Sequence, residues 1–143
     1  MASFAKISEE NAVLQVVVVN DNDILNADRI VDESLGQQYL ETHCNWPANL
    51  WIQSGHENEN GELVRKNHAG IGGSWDAANN MFWPEKPHAS WVQHVESASW
   101  KSPIGDRPAL TAEELSQNSA KTHYWEYKWN EGNQSWDLTN IKA

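Results

Sequence analysis

The chain alternates short apolar runs with polar turns, and the alternation has the period of strands over most of its length. In "FAKISEENAVLQVVVV", residues 4–19, a four-residue loop at Glu9–Ala12 sets Ile7 opposite Leu14, Ala5 opposite Val16 and Lys6 opposite Gln15. Apolar then meets apolar and polar meets polar, as one buried sheet face requires. The β-branched Val13–Val19 segment predicts a central strand covered on both faces. The period changes in "NADRIVDESLGQQYLETHC", where Leu35, Tyr39 and Leu40 share one helical face and Asp32 stands as N-cap. That predicts a short helix over 32–42. Gly36 weakens it by about 1 kcal/mol relative to Ala, so the helix needs a sheet to pack on.

Three aromatic segments then share one hairpin geometry, within 70–84, 90–101 and 124–139. A loop at Ala77–Asn80 sets Trp75 opposite Phe82, and one at His94–Ser97 sets Trp91 opposite Trp100. In "YWEYKWNEGNQSWDL" a loop at Asn130–Asn133 sets Tyr127 opposite Trp136 and Trp125 opposite Leu138. Such cross-strand pairs contribute about 0.2–1 kcal/mol each beyond Ala pairs, which makes most of the rings part of the fold. Between the last two hairpins lies an excursion or arm, 103–122, with Thr111 and Glu114 at capping-box spacing and a helical turn expected over 112–117. The pattern as a whole predicts a mainly β fold, a small sheet or a sandwich or barrel of antiparallel hairpins, in a single domain over 1–143.

Composition sharpens this. Leu is sparse while Trp occurs 9 times in 143 residues, so aromatic rings must supply much of the buried area. Nine tryptophans exceed what one small core hides, and Trp46, Trp51 and Trp83, which fall outside the paired hairpin positions, become candidates for an interface. Arg65 and Lys66, a rare basic pair in an acidic chain, join them, with solvated strand-edge residues as the plainer reading. A net charge of -10 repels phosphate backbones and anionic headgroups, which argues against nucleic acid and membrane partners. The longest apolar run, Val16–Val19, is far too short to span a bilayer, and no signal-peptide layout opens the chain.

Candidate chemistry is thin. A lone Cys44 has no partner for a disulfide, a redox pair or a zinc pair. The six histidines, at 43, 56, 68, 88, 94 and 123, show no i, i+4 spacing, and "HENENGE" reads as a solvated turn rather than a cation loop. "AGIGG", Ala69–Gly73, neither ends in Lys nor opens a helix, so its glycines are expected to let strands bend or approach. No nucleophile elbow, dinucleotide fingerprint or assignable carboxylate pair stands out, and no enzyme, metal or cofactor is expected.

Taken in order, "FAKISEENAVLQVVVVNDNDI", "LGQQYL", "WIQSG", "RKNHAGIGGSWD", "PHASW" and "YWEYKWNEGNQSWDL" resemble a family of small virion proteins of tailed phages that infect cyanobacteria and other aquatic bacteria. The resemblance covers nearly the whole chain. It departs at His68 and Ser74, where that family favours aromatics, and at Ala89, where a proline is common before "SW". It implies a non-enzymatic structural protein of the virion, with a capsid decoration or cement protein on the outside of the head as the leading expectation. The partners would then be the major capsid protein or copies of the chain itself. The alternative is a tail-fibre or baseplate receptor module, with tail proteins or host glycan as partners.

Overall fold

A computed structural model of the chain describes residues 1–58 and 60–142. Among them nine short strands and two helices form a mainly β fold of small antiparallel sheets, and no barrel closes. Where the sequence predicts one domain, the chain divides into two compact units. The first comprises Met1–Lys86 with Val95–Ser99, and the second Pro87–His94 with the chain from Trp100 on.

The first unit is built on a three-stranded sheet in the order β2-β1-β3, with β1 at Ala2–Ile7, β2 at Val13–Val19 and β3 at Trp51–Ser54. Ala5 faces Val16 and Lys6 faces Gln15, as the pattern predicts, but a bulge between Lys6 and Ile7 sets Ile7 against Val13 and leaves Leu14 exposed. The central strand is β1, not β2, because β3 pairs with the far side of β1. The valine run nonetheless packs on both faces. Val17 and Val19 join Ala2, Phe4 and Trp51 under the helix α1, Glu33–Cys44, whereas Val13 and Val16 join Ala5, Ile7, Ile52 and Phe82 on the opposite face. A run buried on two faces loses its alternation, which is why an edge strand reads as a central one.

α1 starts where the sequence places it. Asp32 Oδ1 accepts from the backbone N–H groups of Ser34 and Leu35, and the helix ends on Asn45 in the left-handed region. Gly36 lies directly over the ring of Phe4, so a Cβ there would collide with it. The glycine that weakens the helix is what lets it sit close on the sheet. Gly73 serves similarly, its absent Cβ leaving room for the Trp83 carbonyl where the loop meets Val13.

β4, Ser74–Asp76, and β5, Met81–Trp83, form the first aromatic hairpin with Trp75 opposite Phe82 as expected, ring centroids 4.8 Å apart. β6, Val92–His94, and β7, Ser99–Lys101, form the second, so its loop is 95–98 rather than 94–97 and Trp91 stands ahead of the ladder instead of opposite Trp100.

In the second unit, β8, Trp125–Asn130, pairs with β9, Ser135–Asn140. Here too the loop falls one residue later, at 131–134, which sets Trp129 against Trp136, Tyr127 against Leu138 and Trp125 against Asn140. The reason is chemical. Asn130 Oδ1 accepts from Asn133 N–H, as Asp76 Oδ1 does from Asn79 N–H in the first hairpin, so the Asx residue closes the strand and does not enter the loop. All three loops end on a residue in the left-handed region, Asn80, Ala98 and Gln134. The excursion is docked rather than an arm. α2, Ala112–Ser119, carries the full capping box of Thr111 and Glu114, and Gln117 and Asn118 hold Trp125 by its indole and backbone.

Candidate binding site

The residues proposed from sequence as an interface do not come together on a surface. Trp51 and Trp83 are 0% and 1% exposed, which corrects their assignment: they fall outside the hairpin pairs because they belong to the core. Trp46 is half-buried, its indole N–H donating to the Ile7 carbonyl at 3.0 Å and Lys6 lying over its ring. Arg65 is occupied within its own unit. Its guanidinium binds the Glu33 carboxylate and the Gln53 carbonyl, its Nε donates to Asn80, and it lies over Trp75. Lys66 is exposed and donates to the Val95 carbonyl. The basic pair is thus divided between an internal ion pair and a turn.

A different set of rings does converge, in the second unit. Every fully buried apolar side chain among the described residues belongs to the first unit. The second holds its hairpin with half-exposed tryptophans. Trp129 and Trp136, paired across β8 and β9, lie 5.2 Å apart edge to face, and Trp91 meets each of them at 5.8 Å, also edge to face. His88 stands 5.2 Å from Trp91. Edge-to-face packing sets the positive rim of one indole on the negative face of the next, worth about 0.5–1.5 kcal/mol per pair beyond the area buried.

Hydrogen bonds fix the triad from behind. Glu131, in the hairpin loop, accepts from Ser90 N–H at 3.0 Å, Ser90 hydroxyl at 2.6 Å and Trp129 indole N–H at 2.8 Å. The Ser90 hydroxyl above all, and then the Trp129 indole, hold the Glu131 carboxyl below the usual range. Trp136 Nε1 donates to the Gly105 carbonyl at 3.1 Å, and Arg107 lies over the Trp136 ring at 5.6 Å. Trp91 Nε1 is buried with no hydrogen-bond partner among the described residues.

Together these side chains edge an open groove of about 340 Å³ lined by His88, Trp91, Arg107, Lys128, Trp129 and Trp136, with Glu126 and Tyr127 beside them. It offers flat aromatic faces, a guanidinium and hydrogen-bonding groups at its rim. The sequence contains a sign of this site. "SWDAANNMFW" and "KWNEGNQSWD" align with Asp76 on Asn130 and Asn79 on Asn133, and that alignment sets Trp129 against Trp136. Trp91 and Arg107 join through the tertiary fold, and no spacing rule reaches them.

Among the described residues no group of three His, Cys, Asp or Glu side chains is placed to hold a metal ion, and no helix is long and apolar enough to cross a membrane. Comparison of the chain with protein-family models, curated proteins and solved structures finds no match.

Proposed function

We propose that the chain is a non-enzymatic structural protein of a phage virion and that it serves as a receptor- or glycan-binding module of a tail fibre or baseplate. The observation that carries this reading is the groove of the second unit, where three indoles stand half-exposed around a space of about 340 Å³ with Arg107 and His88 at its edge. Small-ligand sites combine apolar faces with a few placed polar groups, and a saccharide ring has an apolar face to stack and hydroxyls to bond. Assembly in the virion rests on the sequence resemblance.

A glycan array probed with the intact chain tests the site. Saturable binding that disappears in Trp136→Ala and Arg107→Ala supports it, and binding unchanged by both variants, or no binding to any glycan, refutes it. The second reading, a decoration or cement protein on the head bound to the major capsid protein or to copies of itself, is favoured by one feature, the exposed apolar edge of β2. Copy number per purified particle separates the two. Hundreds of copies mean the head, and a handful matching tail symmetry mean the fibre or baseplate.

A further inference from the structure

The two edges of the first unit's sheet are finished differently. Along β3 the outward backbone groups are taken by side chains. Gln53 N–H donates to the Glu33 carboxylate at 2.6 Å, the Gln53 carbonyl accepts from Arg65 at 2.9 Å, and the Trp51 carbonyl accepts from Gln37 at 2.7 Å. Glu33 and Arg65, ion-paired to each other, thus occupy donor and acceptor positions that a neighbouring strand would fill. β2 has such cover only at its start, where Val13 N–H bonds the Gly73 carbonyl, Gly72 N–H the Val13 carbonyl and Trp75 N–H the Asn11 carbonyl. Among the described residues nothing comparable closes Leu14–Val19.

That open stretch, "LQVVVV", contains no charge, no proline and no glycine, and its pairing with β1 is regular from Gln15 to Val19. Leu14 and Val18 are 45% and 59% exposed. Natural sheets blunt an exposed edge with Lys, Pro or a covering loop, because its unpaired N–H and C=O groups template another strand. Here the bulge protects only the first residue of the stretch.

We propose that β2 is a pairing edge through which two copies of this chain join, antiparallel about a two-fold axis near Val17, into one six-stranded sheet. The occupant follows from the composition of the edge. It has no charge with which to select a foreign strand, yet it is complementary to itself, since a two-fold pairing sets valine against valine. The acidic residues that would oppose association, Glu9 and Glu10 on one side and Asp21 and Asp23 on the other, lie beyond the paired stretch.

Sedimentation of the full chain over a concentration series tests this, with Val18→Lys as the comparison. A reversible dimer that Val18→Lys weakens tenfold or more is expected. A wild-type monomer at every concentration, or a dimer that Val18→Lys leaves intact, overturns the proposal. Amide exchange of wild type gives a reading independent of how that variant folds. Protection at Val16–Val18 that rises with protein concentration is expected, and concentration-independent exchange there overturns the proposal equally.

Discussion

Replacing Gly36 with Ala sets two effects of opposite sign against each other. By helix propensity alone the substitution gains about 1 kcal/mol, because Ala restricts the unfolded chain and suits the helix interior. The structure opposes this. The three atoms nearest the new methyl are all in the ring of Phe4, two of them at 2.9 Å, well inside ordinary contact, and Phe4 is fully buried on the central strand. Overpacking of this kind costs about 1–3 kcal/mol. The collision therefore wins, and a net loss of up to about 2 kcal/mol is expected, a fall of several degrees in the melting of the first unit. Urea unfolding of wild type, Gly36→Ala, Phe4→Leu and the double variant gives a cycle in which Phe4→Leu relieves the new methyl. The double variant should be more stable than the sum of the singles by at least about 0.5 kcal/mol. If Gly36→Ala melts higher than wild type, or the cycle closes additively, the close seating of α1 on β1 is not what keeps glycine there.

Further outcomes follow from the hairpins and the edge. Gln134, exposed and left-handed at φ 48°, should become Gly with a gain of about 0.5–1 kcal/mol in the stability of the second unit, read by differential scanning calorimetry. Trp136→Ala removes both the indole bond to Gly105 and the edge-to-face contacts, so the β8–β9 hairpin should lose amide protection as well as ligand, while the first unit keeps its melting temperature. Glu33→Gln leaves the half-buried Arg65 without its carboxylate and should cost about 1–3 kcal/mol by urea unfolding. Asp76 is held below the usual aspartate range by the Asn79 side chain first and the Trp83 indole next. Its folded pKa lies under its unfolded one, so the unfolded chain binds the proton first. The contribution is complete above the unfolded value of about 4 and disappears as pH falls through the depressed folded value. An acid titration of the first unit's stability should flatten in Asp76→Asn.

Local chemistry was legible in the sequence wherever it acts over a few residues. The Asp32 cap, the capping box at Thr111 and Glu114, the Lys6–Gln15 register and the Trp75–Phe82 pair depend on neighbours close along the chain, and all are present. The loop of the third hairpin was displaced by one residue, because counting apolar matches does not register the Asn130 side chain as a turn-closing acceptor. A shift of one residue in the loop moves each partner by two, which keeps the faces and exchanges the pairs, and so Trp129 rather than Tyr127 meets Trp136. The interface residues were misplaced for a different reason. Absence from a hairpin pair does not distinguish a core ring such as Trp51 from a surface one, since burial is set by segments distant in sequence.

The Glu33–Arg65 closure of β3 bears on how far self-association could run. A sheet open at both edges adds strands without limit and becomes a fibre. With one edge sealed by an ion pair, a second copy arriving at β2 uses the edge left open along that sheet among the described residues, and the assembly is finite by construction. Glu33 and Arg65 would then be termination elements: their loss would convert a terminating pair into a growing one, and precipitation at rising concentration would report it before any loss of the fold.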